Sequence, residues 1–257
     1  MRSWIQSSWQ KVYFDYNAVA GVQKGQVVDP SRILPSRFVL TNKGGAELSE
    51  ATLKARWIFG GHKDPDAGKY ATDSPTASLL GYNLMNFIAV QLGFVVEYED
   101  VSAAFLQGEQ LPDDREIYVR TPHGYPPEIV EYLQSVLGKG WRTDIVKSKK
   151  GGFGLPESPR LFYLMYRAVL ISLTFKECKL LVGIFVLFHV EGPKKGKLRA
   201  MAGIHVDDTR VAGDETSQPV FDALRKKLTF GKNRKATDGW QKCVGRWEKQ
   251  DPTTLEF

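Results

Sequence analysis

Two adjacent aspartates, Asp207 and Asp208, are the residues of this chain whose type and spacing best suit chemistry. The apolar segments on either side, 198–203 and 209–213, both suit short strands, so the pair is predicted at the tip of a β-hairpin. Two neighbouring carboxylates repel each other, and a hard divalent cation such as Mg²⁺ would offset that repulsion through oxygen ligands. A solvated Asp-Asp turn is the simpler interpretation of the pair taken alone.

A third aspartate, Asp100, comes at the end of a predicted strand, 94–101. If that strand lies beside the hairpin, Asp100 joins Asp207 and Asp208 in a cluster that can hold two Mg²⁺ ions about 3.5–4 Å apart. Phosphoryl transfer needs mainly positioning and charge neutralisation, and such a cluster supplies both. An aspartate that merely ends a strand or lies in a turn remains the alternative for Asp100.

The composition is that of a basic globular protein. The 257 residues are 42% hydrophobic and 25% charged, with a formal net charge of +6. This allows one large or two small domains and makes a polyanion a plausible partner. Basic residues cluster in the half of the chain that holds the aspartate pair, which fits a phosphate-rich ligand, although each cluster could also be a solvated face. The clusters lie at 147–150, 194–199 and 225–235.

The two cysteines, Cys178 and Cys243, form no CxxC motif, and the four histidines show no paired spacing. A zinc site and a disulfide-stapled secreted fold are therefore not expected. No signal peptide and no apolar run of ~18 residues is recognisable. We therefore expect an intracellular protein, cytoplasmic or nuclear and not secreted, without a membrane partner.

The elements that would position the aspartates are helices in alternation with mostly antiparallel strands, which predicts an α+β fold. In a helix predicted at about 76–92, apolar residues recur every four positions on one face from Leu80 to Leu92, and Gly93 follows as a stop signal. A later helix is predicted to begin with Ser158 as its N-cap. Further helices are predicted at 127–137, 158–175 and 219–228, and strands at 36–41, 55–59, 94–101, 116–120 and, buried, 180–190.

Five short motifs follow one another from about residue 32 to residue 214. They are Lys54-Ala55-Arg56 with Gly60-Gly61 and Tyr70-x-x-x-Ser74-Pro75; Asp100-Val101-Ser102-Ala103-Ala104-Phe105-Leu106-Gln107-Gly108; Glu116-Ile117-Tyr118-Val119 with Pro122-x-Gly124-Tyr125; Gly154-Leu155-Pro156-Glu157-Ser158-Pro159-Arg160; and His205-Val206-Asp207-Asp208. In order and approximate spacing the series resembles the reverse transcriptase domain of copia-type (Ty1-like) LTR retrotransposons.

The resemblance implies a right-hand polymerase fold of fingers and palm, with an antiparallel palm sheet and a missing or truncated thumb. It divides the chain into an N-terminal extension, 1–31, and a reverse transcriptase domain, 32–257. Within that domain the fingers are expected at about 32–99 and the palm at about 100–257, with some finger segments in 115–160. No thumb and no ribonuclease H domain is recognised downstream.

The resemblance also assigns roles to residues of this sequence. Asp100, Asp207 and Asp208 match the catalytic, metal-binding aspartates, with the carbonyl of Val101 as an extra oxygen ligand. The implied cofactor is a pair of Mg²⁺ ions, for which Mn²⁺ is an expected substitute.

Seven further positions match the nucleotide pocket of the family. They are Lys54, Arg56, Ala103, Ala104, Phe105, Phe153 and Gly154. The two basic residues would neutralise triphosphate oxygens, for which an arginine offers a bidentate fork. The alanines would let backbone amides approach the triphosphate, and Phe105 would be the steric gate against a ribose 2′-hydroxyl. Phe105 and Phe153 could each be ordinary core residues instead.

The implied function is that of an RNA-directed DNA polymerase fragment of a retrotransposon polyprotein. It would extend a primer with dNTPs on an RNA or DNA template, and its oligomeric state is not predicted. Three residues depart from the family pattern: His205 replaces a tyrosine, and Pro156-Glu157 replaces Lys-Gln beside a site that should attract phosphates. These departures and the missing thumb motivate an alternative, a degenerate palm domain that binds nucleic acid without catalysis. A plain α+β domain with coincidental motifs is a second alternative.

Overall fold

The computed structural model of the protein describes residues 17–44, 52–122, 131, 134–135 and 140–257. The predicted helix at 127–137 and the start of the N-terminal extension fall largely outside these residues. The chain forms two compact units: the first contains Met1–Asp73 and Phe105–Phe162, and the second contains Ser74–Ala104 and Tyr163–Phe257. Residues 74–99 group with the segment that carries the aspartate pair, and the division of the reverse transcriptase domain into fingers and palm stays a prediction.

The described elements confirm a mixed α+β content. The strands are β1 Val19–Gln23, β2 Ile33–Leu34, β3 Ser36–Asn42, β4 Leu53–Phe59, β5 Val95–Val101, β6 Ile117–Arg120, β7 Trp141–Ser148, β8 Lys176–Glu177, β9 Ile184–Phe188, β10 Leu198–His205, β11 Asp208–Gly213, β12 Phe230–Lys235, β13 Gln241–Cys243 and β14 Arg246–Glu248. The α-helices are α1 Leu79–Leu92, α2 Ala104–Gln107, α3 Ser158–Ser172 and α4 Gln218–Lys227. No helix of the described residues has the length and apolarity needed to cross a membrane.

The second unit is built on a six-stranded antiparallel sheet in the order β12-β5-β11-β10-β9-β8. Successive residues of a strand point to opposite faces. One face of β5 is therefore apolar and packs in the core, and the other is acidic. Val96 and Tyr98 pack in an apolar core with residues of α1. On the other face, Glu97 and Glu99 bind the guanidinium of Arg225 from α4. The predicted hairpin and the predicted helix near 219–228 are both confirmed.

The face of α1 that packs on this sheet differs from the predicted one. Leu80, Leu84 and Leu92 of the apolar repeat are 70%, 40% and 49% exposed. The sheet approaches the helix so closely that a Cβ at Gly203 would lie 2.6 Å from the Tyr82 ring. The residues that the helix buries are Gly81, Tyr82, Met85 and Ala89.

The strand predicted at 180–190 is shorter in the structure, because a loop precedes β9. A buried strand was expected over 180–190, but β9 covers only Ile184–Phe188, while Leu180 and Val182 are 92% and 54% exposed. Gly183, with φ 72°, turns the chain against residue 77, and a Cβ there would lie 2.5 Å from the Ala77 nitrogen. Only glycine fits such a backbone conformation at so close an approach.

The first unit contains a four-stranded sheet, β1-β7-β6-β2, and a separate antiparallel hairpin, β3-β4. The predicted strands at 36–41 and 55–59 are confirmed as this hairpin. Its inner face buries Trp57 and Phe59, whose rings meet edge to face with centroids 5.0 Å apart. Strands β1 and β7 were not predicted from the sequence.

Candidate active site

Asp100 and Asp208 lie directly opposite each other in the sheet of the second unit. Strand β5 pairs with β11 in a register that runs from Val95–Gly213 to Asp100–Asp208. Paired residues of an antiparallel sheet project to the same face. The two strands predicted to carry metal-binding aspartates are therefore neighbours, and their aspartates share one end and one face of the sheet.

Asp207 occupies the tight turn that joins β10 to β11. His205 pairs with Asp208, which leaves Val206 and Asp207 as a two-residue loop. Val206 has φ 55°, a conformation that is unfavourable for a β-branched residue. The turn is held to the neighbouring strand because the Val101 amide donates to the Asp207 carbonyl at 2.9 Å.

The electrostatics of the pair show carboxylates that are crowded together. Burial raises the pKa of the Asp208 carboxyl, and the negative charges of Asp207 and Asp100 raise it further. A backbone hydrogen bond from Val244 and the nearby His205 act in the opposite direction. Asp100 and Asp207 are themselves exposed. A cation near this end of the sheet would relieve the repulsion.

Within the described residues, no group of three or more His, Cys, Asp and Glu side chains is arranged to hold a metal ion. The donor set nevertheless has the chemistry that suits a hard divalent ion, since it offers carboxylate oxygens at one end of one sheet. Burial raises the pKa of Asp208, and the negative charges of Asp207 and Asp100 add to this effect, which a bound cation would oppose. The residues present therefore fit Mg²⁺ by ligand type and by charge.

The segment after β5 carries the predicted alanines. Ser102 donates its amide to the Thr229 carbonyl at 3.0 Å, and Ala103 has φ 48° before α2 begins at Ala104. Gly231 of β12 lies close by, since a Cβ there would be 3.4 Å from the Asp100 carbonyl oxygen and from one Asp100 carboxylate oxygen. The turn at 102–104 therefore lies immediately after the end of β5, close to Asp100.

The remaining predicted nucleotide-binding residues belong to the first unit. Lys54 and Arg56 alternate along β4 with the positions of Trp57 and Phe59, which are buried, so both lie on the outer face of the β3-β4 hairpin. Arg37 pairs with Ile58 across the hairpin and shares that face. The register of the hairpin therefore brings three basic residues, Arg37, Lys54 and Arg56, to one surface.

Phe153 and Gly154 are tied to the end of β4. The Phe59 amide donates to the Phe153 carbonyl at 2.7 Å. A Cβ at Gly61 would lie 2.1 Å from the Gly154 carbonyl oxygen, so the two segments touch through backbone. The ring of Phe153 meets the ring of Phe105 with centroids 5.3 Å apart and an interplanar angle of 62°. The two predicted pocket aromatics therefore form one pair.

The hydrogen bonds of Ser158 and Glu157 differ from those expected from the sequence. The Ser158 hydroxyl exchanges hydrogen bonds with the amide and carbonyl of Gly152, both at 2.8 Å, and so closes the loop instead of capping α3. Glu157 is buried and accepts hydrogen bonds from Arg115 at 3.0 and 2.8 Å. Its negative charge is therefore neutralised by a neighbouring cation.

His205, the third departure from the family pattern, has a definite partner. Its Nδ1 lies 3.2 Å from the Ala77 carbonyl oxygen, which tethers the end of β10 to the segment before α1. The Ala77 amide in turn donates to the Ile204 carbonyl at 2.7 Å. This histidine therefore fixes the strand end that leads into the aspartate turn.

A family model described as reverse transcriptase (RNA-dependent DNA polymerase) matches residues 25–233. The match covers most of the chain, which therefore belongs to the reverse transcriptase family. The resemblance to the copia-type domain is confirmed, and coincidence of the motifs is excluded.

Two plant relatives carry retrotransposon names. The Retrovirus-related Pol polyprotein from transposon RE1 of Arabidopsis thaliana is 26% identical over 206 residues, which are 78% of this chain and 13% of that protein. The corresponding polyprotein from transposon RE2 of the same organism is 25% identical over 222 residues, 84% of this chain and 14% of that protein. The chain thus spans about one seventh of the length of the curated relatives it matches.

Two solved telomerase structures are also similar. Telomerase from Candida albicans in complex with a TWJ fragment of telomeric RNA matches with a TM-score of 0.47 and 9% identity, over 98% of this chain and 49% of that one. Apo telomerase from Candida Tropicalis, truncated from its C-terminal domain, gives a TM-score of 0.46 and 12% identity, over 99% of this chain and 58% of that one. Both TM-scores lie below 0.5, so neither structure defines the fold.

Proposed function

We propose that this chain is the fingers–palm part of an RNA-directed DNA polymerase that joins a dNTP to a primer 3′-hydroxyl on an RNA or DNA template. The observation that carries the proposal is the register that sets Asp208 opposite Asp100, with Asp207 in the adjoining turn. Family membership alone would fit a decayed domain as well, whereas the pairing of Asp208 with Asp100 supports a working site.

Asp100, Asp207 and Asp208 would hold divalent metal, together with the carbonyl of Val101. When bound, Mg²⁺ or Mn²⁺ would supply the positive charge that activates the primer hydroxyl and steadies the leaving pyrophosphate. The hydrogen bond from the Val101 amide to the Asp207 carbonyl holds the turn, including the strained Val206, in place before any ligand arrives. Preorganisation of this kind suits a reaction that depends on positioning.

The residues of the first unit would bind the incoming nucleotide. Lys54 and Arg56 would neutralise triphosphate oxygens, and Phe105 would exclude a ribose 2′-hydroxyl. Phe153 and Gly154 would line the nucleotide pocket. The Phe153 carbonyl accepts a hydrogen bond from the Phe59 amide, and a Cβ at Gly154 would lie 2.1 Å from the Phe59 carbonyl oxygen, so only glycine fits there. Ala103 and Ala104, which follow Asp100 in the second unit, would offer backbone amides to the triphosphate.

These roles assign the first unit to the fingers and the second unit to the palm of a right-hand polymerase. The intracellular location is part of the same proposal.

The proposal is tested by primer extension on poly(rA)·oligo(dT) with Mg²⁺ or Mn²⁺. We expect dTTP incorporation, and we expect Asp207→Asn to lower its rate at least about 100-fold, since it removes charge that the transition state needs. Asp222→Asn, an exposed change on α4, is the matched control and should keep the wild-type rate. Absent incorporation with persistent filter binding of primer–template would instead identify a non-catalytic nucleic-acid binder.

A further inference from the structure

Arg115 is a buried arginine of the first unit, 3% exposed, just before β6. Its Nε and Nη2 donate to the same carboxylate oxygen of Glu157, at 3.0 and 2.8 Å. Its Nη1 donates to Asp64 at 3.0 Å and to Asp66 at 3.3 Å, and its Nη2 also binds Asp64. The Tyr70 ring stacks over the guanidinium, whose carbon is 4.9 Å from the ring centroid. One side chain thus joins three carboxylates.

The cluster around Arg115 is balanced in charge. Asp66 also binds Arg32 at 2.6 Å and Lys69 at 2.7 Å, so three cations face three carboxylates. Burial alone would lower the pKa of Arg115, but its hydrogen bonds to Asp64 and Glu157 outweigh burial and raise it. A guanidinium can serve several acceptors in one plane, which the compact ammonium of a lysine cannot do.

The carboxylates that Arg115 joins belong to two separate loops, and both loops lead to the nucleotide-binding turn. Asp64 and Asp66 follow the segment that ends β4, where Gly61 touches Gly154. Glu157 comes three residues after Gly154 at the start of α3. The two segments meet where the Phe59 amide binds the Phe153 carbonyl.

We propose that Arg115 is a positioning residue for the nucleotide-binding turn Phe153–Gly154, and that Glu157 is its matched partner in this chain. Arg115 bridges the loop after β4 to the start of α3 and so sets how the turn lies against Phe59. The inference rests on the proposed function for its kinetic consequence, but its structural consequence can be measured without nucleotide. It also explains Glu157: a carboxylate replaces the glutamine of the family because its neighbour is an arginine.

The decisive variant is Glu157→Gln, which restores the residue of the family pattern with almost no change in size. An unpartnered surface glutamate would tolerate this change. In this chain it should loosen the turn because Arg115 loses one of its charged partners. We expect the KM for the correct dNTP to rise about 10-fold with kcat changed much less, as a misplaced binding group would produce. Arg115→Lys should act in the same direction and more strongly.

The second readout is backbone hydrogen exchange at Phe59, whose amide reports the hydrogen bond to Phe153. Protection of this amide should fall about 10-fold in Glu157→Gln and further in Arg115→Lys. Ile145→Val is the matched control, since Ile145 is fully buried on β7 in the same unit but lies in neither loop. It should lower overall stability without a selective change at Phe59 or in KM.

Unchanged Phe59 exchange in Glu157→Gln would overturn the inference, whatever the activity. An unchanged KM in an active enzyme with altered exchange would also overturn it, since Arg115 would then hold a turn that does not matter for the nucleotide. A wild-type chain that incorporates no dNTP would overturn the proposed function instead. If Arg115→Lys does not fold, the milder Glu157→Gln still decides the question.

Discussion

Val206 carries the backbone strain of the aspartate turn. A valine at φ 55° costs on the order of 1–3 kcal/mol, and it persists only where the surrounding structure holds it. Three contacts do so here: the His205–Asp208 pair, the hydrogen bond from Val101 to the Asp207 carbonyl, and the tether from His205 to Ala77. The departure at His205 thus supports the turn, since the imidazole supplies one of the three contacts.

The Phe105 gate gives a prediction for a single side chain. Phe105→Val should lower the preference for dNTP over rNTP in kcat/KM by about 10- to 100-fold, because a smaller side chain leaves room for the 2′-hydroxyl. Steady-state incorporation of dTTP and UTP opposite the same template measures this ratio. Ile145→Val, which changes a buried residue of β7 outside the proposed nucleotide pocket, should leave the ratio nearly unchanged. An active Phe105→Val enzyme with wild-type sugar discrimination would disprove the assignment.

Residue chemistry was predictable from the sequence where neighbours in the chain define it. Asp207 and Asp208 are adjacent, so their mutual repulsion is visible without a structure. Arg115 gave no such signal, because Asp64 and Glu157 are 51 and 42 residues away. For the same reason the charge of Glu157 looked unfavourable in the sequence, although the fold neutralises it.

At the scale of elements, β11 carries a buried charge on the same face as its half-buried aspartate. Arg210 lies two residues after Asp208, fully buried, with its guanidinium carbon 4.3 and 5.1 Å from the ring centroids of Tyr82 and Tyr98. It binds Glu248 of β14 at 2.7 Å and Asn86 of α1 at 2.7 Å. One arginine therefore ties the strand to the helix and to the C-terminal hairpin.

Arg210→Leu should lower the free energy of unfolding by about 3–5 kcal/mol, since it removes the cation that pairs with the largely buried carboxylate of Glu248 and leaves it the hydrogen bonds from Tyr98 and Asn86. Urea unfolding followed by far-UV circular dichroism measures the change. The double variant Arg210→Leu/Glu248→Leu should recover part of the loss, because an apolar pair replaces the ion pair. Equal losses in the single and double variants would show that packing, and not the unpaired carboxylate, sets the cost.

The apolar periodicity of α1 predicted a helix but not which face of the helix is buried. A repeat of four residues advances slightly more than one helical turn, so it drifts by about 40° at each step and marks no fixed face. Which side is buried depends on the partner, here the sheet that meets Tyr82 and Met85 at Gly203. The strands β5, β10 and β11 were predictable because alternation in a strand fixes both faces directly.

At the scale of the whole molecule, each unit contains a carboxylate that is held in its charged form. Hydrogen bonds from Lys69 and Arg32 lower the pKa of Asp66 to about 2 in the first unit. In the second unit burial alone would raise the pKa of Asp214, but hydrogen bonds from Thr216 and His189 lower it instead. The strand register and the helix faces fix the site, whereas these charges set the pH range in which the units remain folded.

The lowered pKa of Asp66 predicts that the free energy of unfolding falls in acid. Its folded-state pKa lies below the ordinary value of 3.8, so its stabilising contribution is complete above about pH 5 and is lost as the pH falls toward 2. The loss should be about 1–2 kcal/mol, with the lower figure favoured because the Lys69 side chain is 65% exposed and screened by solvent. Urea unfolding of the wild type at pH 6 and at pH 3 measures it.

Asp66→Asn should be less stable at pH 6 and should lose less stability on acidification, and Lys69→Gln should fall between Asp66→Asn and the wild type. If wild type and Asp66→Asn lose the same free energy between these pH values, the ion pairs of Asp66 do not contribute to the stability of the fold.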